Sequence, residues 1–85
     1  MGSTIVDVTY GFAAGEEVVV RLQGIEVFEL DSSRVLSASA IPAWTIAEIV
    51  KCALREGAPS YTLRFVLGDA ACVCVVPESA IDGTA

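Results

Sequence analysis

Residues 61–76 read YTLRFVLGDAACVCVV, and this stretch predicts a β-hairpin. Gly68-Asp69 is the Gly-first pair that a two-residue type II′ loop requires, and an apolar run lies on either side of it. A loop of this length sets Phe65 opposite Cys72. One side of the hairpin is then a core face, formed by Tyr61, Leu63, Phe65, Leu67, Cys72, Cys74 and Val76.

The hairpin assigns the Cys72-Val-Cys74 motif to packing, because free cysteine is among the residues most often buried. Together with Cys52 the motif supplies three thiols, so a metal or iron–sulfur site is kept as an alternative. An odd number of cysteines, two of them at i and i+2 of one strand, does not suit a secreted disulfide framework. We therefore predict a reducing, cytoplasmic setting and no cofactor.

The N-terminal part of the chain predicts further strands. Residues 5–10 alternate between apolar and polar side chains, as a half-buried strand does. Residues 18–22 and 25–30 are rich in β-branched side chains and meet at Gln23-Gly24, which favours a second hairpin. In that hairpin Arg21 would lie opposite Glu26.

Residues 45–57 predict a helix. Apolar side chains recur there at i, i+3, i+4, i+7 and i+8, at Ile46, Ile49, Val50, Ala53 and Leu54. Thr45 and Glu48 fit a capping box, and Trp44 precedes it as the residue of a hydrophobic staple. Gly57 would supply the left-handed residue that ends the helix.

The predicted fold class is therefore α+β. A small, mostly antiparallel sheet of five to six strands carries one helix on one face, in the order β-β-β-(β)-α-β-β. Residues 1–77 form a single domain in this prediction. Residues 78–85 show no periodicity and are predicted to be a flexible C-terminal tail.

The net charge of −6 is concentrated near the N-terminus. Residues 1–33 carry six acidic side chains against Arg21 alone, whereas residues 34–85 carry five acidic and four basic ones. Because nucleic-acid binding depends on basic residues, we predict no direct binding to nucleic acid. The candidate acidic strip for a protein partner consists of Glu16, Glu17, Glu26, Glu29 and Asp31.

Catalysis finds little support in the sequence. The chain contains no histidine, which removes the commonest general base and the commonest zinc ligand. Asp7, between two valines, is the one carboxylate that a strand would partly desolvate, and it has no catalytic partner nearby. We predict that the protein is not an enzyme.

The surplus of apolar side chains leads to the functional prediction. Apolar residues make up 54% of the chain and charged residues 19%, against typical values of about 45–50% and about 25%. A domain this small cannot bury so many apolar groups, and no apolar run is long enough to span a membrane. We predict a non-enzymatic protein-protein interaction module, a homodimer or a subunit of a larger assembly, with apolar contacts at Trp44, Val66, Val73 and Val75.

The alternative is an acidic inhibitor or decoy of the kind that mobile elements encode. In that hypothesis the acidic strip imitates a nucleic acid and occupies a basic groove on a target protein.

Overall fold

A computed structural model describes residues 10–85 of the chain. Six strands form one antiparallel sheet: β1 (Glu17–Arg21), β2 (Phe28–Glu29), β3 (Trp44–Arg55), β4 (Ala58–Leu67), β5 (Ala70–Pro77) and β6 (Ile81–Thr84). Their order across the sheet is β2-β5-β4-β3-β1-β6. Two 3₁₀ turns, Ala38–Ala40 and Glu78–Ala80, are the only helical segments among the described residues.

The hairpin of β4 and β5 confirms the prediction for residues 61–76. Leu67 pairs with Ala70, so the loop is two residues long, and Phe65 lies opposite Cys72. Gly68 adopts a positive φ of 61°, which an L residue with a Cβ rarely does. The predicted core face is buried, except that Leu67 near the turn is half-buried.

The predicted helix is wrong, and with it the α+β fold class. Residues 44–55 form β3, which pairs with β1 on one side and with β4 on the other. Trp44 therefore does not staple a helix; it lies exposed at the start of a strand. Gly57 does adopt a positive φ, but it does so in the two-residue turn that joins β3 to β4.

A β-bulge in β3 explains why the strand resembles a helix in sequence. The register with β4 shifts between Ile49 and Lys51, which leaves Val50 as an extra residue. Ala47 and Ile49 before the bulge point into the core, whereas Ile46 on the opposite face is exposed. Apolar residues on both faces, offset by one position at the bulge, produce an apparent 3.6-residue period.

The predicted hairpin of residues 18–30 is also wrong. A turn does form at Gln23-Gly24, where the Ile25 N–H donates to the Leu22 carbonyl. The chain then leaves β1, and β2 pairs with β5 at the far edge of the sheet. Arg21 consequently lies opposite Trp44 in β3 and not opposite Glu26.

The C-terminal residues 78–85 contain a 3₁₀ turn followed by β6, which pairs with β1. Ile81 at the start of β6 is buried. The strand predicted at residues 5–10 and the carboxylate of Asp7 lie outside the described residues, apart from Tyr10.

The core lies on one face of the sheet. Its buried members are Val18, Val20, Leu22, Val27, Ala47, Ile49, Tyr61, Leu63, Phe65, Cys72, Cys74, Val76 and Ile81. Partly buried side chains from the connections, including Phe12, Ile25 and Leu36, pack against this cluster. One sheet layer is thus covered on its inner side by its own connecting segments, and nothing in residues 10–85 forms a second layer on the opposite side.

Candidate functional site

The outward side chains of the four central strands, β5, β4, β3 and β1, form one surface, which we call the outer face. It comprises Glu17, Val19 and Arg21 on β1, Trp44, Ile46, Glu48 and, after the bulge, Lys51 on β3, Thr62, Arg64 and Val66 on β4, and Ala71, Val73 and Val75 on β5. These residues alternate with the core residues of the same strands, because successive side chains of a strand point to opposite faces.

A row of apolar side chains crosses the outer face from β1 to β5. Val19 lies opposite Ile46, and Val66 lies opposite Ala71. Ile46 and Val66 are neighbours on β3 and β4. Glu48 pairs with Arg64 in this antiparallel pair, so the residue two positions before Glu48 lies opposite the residue two positions after Arg64. Ile46 is 48% exposed and Val66 is 64% exposed. Two neighbouring central strands therefore present aliphatic side chains to solvent.

The predicted apolar contacts all lie on this face. Val66, Val73 and Val75 are brought together on β4 and β5, where Val75 is 43% exposed and Val73 is half-buried beside Phe28 of β2. Trp44, which is 58% exposed, lies at one end of the face opposite Arg21. Sequence reasoning missed Ile46, although alternation over residues 44–49 would have placed it beside Trp44.

The charges of the outer face nearly cancel, because Glu17 and Glu48 are set against Arg21, Lys51 and Arg64. Glu17 and Glu48 lie opposite each other on β1 and β3, and Glu48 also lies opposite Arg64 on β4. Arg21 forms an ion pair with Asp82 at 2.9 Å, and the other ion pair among the described residues joins Arg34 to Glu29. Glu48 and Arg64 are therefore adjacent opposite charges that do not form an ion pair with each other.

The predicted acidic strip is not brought together as one surface. Glu17 belongs to the outer face, whereas the Glu16 carboxylate accepts a hydrogen bond from the Ala13 N–H in the preceding turn. Glu29 is in β2 at the opposite edge of the sheet, where it accepts hydrogen bonds from Ser32 and Arg34. The two remaining members, Glu26 and Asp31, are exposed in connecting segments.

Two adjoining clefts flank the turn at residues 22–25. One, of about 660 Å³, is lined mainly by apolar side chains such as Ile25, Leu36 and Ile41, with Glu26 at its rim. The other, of about 600 Å³, lies between Trp44 and the ion pair of Arg21 with Asp82. Ser79 and Asp82 line the second cleft, but the Asp82 carboxylate is paired with Arg21, and the chain has no histidine to act as a base there.

The cysteines lie on the inner side of the sheet. Cys72 and Cys74 are fully buried, and Cys52 is half-buried. Burial raises the pKa of the Cys74 thiol to about 12, with a further contribution from Cys72, so this thiol stays protonated and unreactive. Over residues 10–85, no group of three His, Cys, Asp or Glu side chains is placed to hold a metal ion.

A cluster of hydrogen bonds joins the segment before β1 to the open end of the β4–β5 hairpin. The Tyr61 hydroxyl donates to the Glu78 carboxylate at 2.6 Å, and the Gly11 N–H donates to both groups at 3.0 Å. The hydrogen bonds from Tyr61 and from Gly11 lower the pKa of Glu78. Burial, followed by the bond to Glu78, raises the pKa of Tyr61. The cluster holds backbone in place and offers no open nucleophile.

Comparisons with models of protein families, with curated proteins and with solved structures find no match to this chain. None of the helical segments in the described part of the chain has the length and hydropathy needed to cross a membrane.

Proposed function

We propose that this chain is a non-enzymatic protein-interaction module that self-associates through the outer face, as a homodimer or as a subunit of a larger assembly. The observation that carries the proposal is the apolar row at Ile46 and Val66, which stays exposed although it lies in the middle of the sheet. Exposed apolar surface of this kind is typical of protein interfaces.

The charge distribution supports a second copy of the chain as the partner. The whole chain carries −6, which opposes self-association, but the outer face carries two acidic side chains, Glu17 and Glu48, and three basic ones, Arg21, Lys51 and Arg64. A surface close to neutral can approach its own copy without a large repulsion, because the excess negative charge lies elsewhere.

The size of the outer face determines how tightly two copies of the chain are expected to bind. The face has four levels of side chains along the strands, which span about seven residues rising about 3.3 Å each, so four strands about 4.8 Å apart give a patch of roughly 440 Å². A standard interface buries roughly 800 Å² on each partner, so this patch belongs to the smaller class. The proposal therefore expects a dimer with a dissociation constant on the order of micromolar.

The proposal assigns no catalytic group and no direct contact with nucleic acid. It places the interaction in a reducing cytoplasm, where the three free thiols would remain reduced.

Sedimentation velocity over a concentration series tests this proposal on the full chain. We expect the wild-type protein to shift from monomer to dimer in the micromolar range. Val66→Lys places a charge in the centre of the apolar row, so it should raise the dissociation constant at least tenfold.

Val35→Lys is the matched control, because Val35 is 52% exposed but lies beyond β2 at the edge of the sheet, where it pairs with Phe28 and is outside the four central strands. This variant should dimerise like the wild type. A wild-type protein that remains monomeric at millimolar concentration would contradict the proposal, as would equal weakening by the two substitutions.

A further inference from the structure

The arrangement of charges on the outer face matches its own copy in one specific orientation. Glu48 and Arg64 have opposite charges, lie side by side on β3 and β4, and form no ion pair with each other. Glu17 lies on the other side of Glu48, and two like charges opposite each other in a sheet are destabilising. A cation placed above Glu48 from outside the chain would relieve this repulsion.

We infer that the dimer has a two-fold axis parallel to the strands, in the plane of contact and between β3 and β4, so that Glu48 pairs with Arg64 of the partner subunit. This inference rests on the proposed self-association and specifies its geometry. Rotation about that axis sets β3 of each protomer over β4 of the other, and the charge pair therefore forms twice.

The same rotation matches the apolar row with itself. Ile46 comes to lie over Val66 of the partner subunit, and Val19 over Ala71 of the partner subunit. Packed sheets lie about 10 Å apart, a separation that two facing layers of aliphatic side chains fill. No other axis parallel to the strands superimposes both the apolar row and the two opposite charges.

The apolar surroundings of Glu48 and Arg64 increase the effect of the charge pairs on dimerisation. Ile46 and Val66 adjoin Glu48 and Arg64 on one side, and Val73 and Val75 lie on the neighbouring strand. Two facing copies would exclude water from the pairs, which strengthens correct pairing and makes like charges in contact costly. Charge reversal should consequently change dimerisation strongly.

The test uses the single variants Glu48→Arg and Arg64→Glu, alone and mixed, in sedimentation velocity on the full chain. Each variant alone brings like charges together across the axis, so its dissociation constant should rise at least tenfold. An equimolar mixture should form a heterodimer, because both contacts then join an arginine to a glutamate. The double variant E48R/R64E should dimerise within about threefold of the wild type, since the exchanged charges still meet.

The mixing experiment distinguishes pairing between subunits from pairing within one chain. Charges that pair within one chain would be restored in the double variant but not in the mixture. Glu56→Arg in the β3–β4 turn is the control for the change of charge, and it should dimerise like the wild type. Circular dichroism establishes that each variant is folded, and heterodimer formation shows it independently.

The outcomes separate this inference from the proposed function. If Val66→Lys weakens the dimer but the mixed charge variants do not associate, the outer face remains the interface and the two-fold geometry is wrong. If the wild-type protein does not dimerise, both are wrong. Should a single variant fail to fold, the salt dependence of the dissociation constant between 50 mM and 500 mM is compared between the wild type and E48Q/R64Q, which has the same net charge. Equal salt dependence of the two proteins overturns the charge pairing, because screening weakens an ion pair that only the wild type can form.

Discussion

At the scale of single residues, the cluster of Tyr61, Glu78 and Gly11 shows how one phenol joins distant parts of the chain. Tyr61 is fully buried, and its hydroxyl reaches both the Glu78 carboxylate and the Gly11 N–H. A Cβ at position 11 would lie 2.8 Å from the Glu78 carboxylate oxygen, so a larger residue there would displace the end of the Glu78 side chain. The rings of Tyr10 and Phe12 pack edge-on against Tyr61, which completes the contact.

Removing the hydroxyl tests this cluster. Tyr61→Phe should lower the free energy of unfolding by about 1 kcal/mol, because the buried hydroxyl hydrogen bonds are lost while the ring stays. Tyr10→Phe keeps the ring contact and is the control. Denaturant unfolding at pH 7 measures both variants, and an equal loss in the two would contradict a specific role for Tyr61.

The same cluster predicts a pH dependence. Because the folded pKa of Glu78 is lowered, its contribution to stability is fully present above pH 4.5 and is lost as the pH falls through the folded value. The coupling between Tyr61→Phe and Glu78→Gln in a double-mutant cycle should therefore be constant from pH 7 to pH 5.5 and should shrink below pH 4.5. Urea unfolding across this range measures it, and a coupling that grows on acidification would contradict the assignment.

At the scale of elements, the β3–β4 hairpin replaces the predicted helix. Arg55 pairs with Ala58, and both turn residues have positive φ, 53° at Glu56 and 81° at Gly57. Two positive φ values are typical of a type I′ turn, which suits the twist of the two strands. Glu56 is a poor residue for this conformation, because a side chain longer than that of Asn or Asp gains no local hydrogen bond there.

Substitutions in the turn should act in opposite directions. Glu56→Asn should stabilise the protein by about 0.5 kcal/mol, and Gly57→Ala should destabilise it by about 1 kcal/mol. The space around a Cβ at position 57 is empty, so the second effect is purely conformational. Thermal and denaturant unfolding measure both variants. If Glu56→Asn does not stabilise the protein, the type I′ turn is contradicted.

At the scale of the whole molecule, the C-terminal strand β6 pairs with β1. β6 pairs with β1 through Val18, Val19 and Val20, and the Ala85 N–H donates to the Glu17 carbonyl. Without β6, the backbone groups of β1 would form an exposed edge, and Ile81 would leave the core. The last residues of the chain are therefore part of the sheet.

Ending the chain at Ala80 should lower the free energy of unfolding by about 2 kcal/mol or more, since burial of Ile81 and the β6 pairing are both lost. Asp82→Ala is the control, because it removes only the exposed ion pair with Arg21 and should cost about 0.5 kcal/mol or less. Equilibrium unfolding compares the two proteins. Equal stability of the truncated and full chains would show that β6 adds nothing.

Local patterns in the sequence predicted those features in which neighbouring residues along the chain also pair with each other. The β4–β5 hairpin is such a case, because Gly68 sets the loop length and the loop sets the whole register. The membership of Val66, Val73 and Val75 in one face followed from this register, since alternation on a strand needs no information from elsewhere.

Features that depend on distant partners were not visible in the sequence. Residues 44–55 match a helical period as well as a bulged strand, and pairing with β1 and β4 selects the strand. β2 leaves β1 for β5 because the far edge offers Cys72 and Val73 as partners, and no local signal encodes this. The outer face is continuous only because β3 lies between β1 and β4 in the sheet. Its apolar row, and the adjacent charges of Glu48 and Arg64, arise only when strands far apart in the chain come into register.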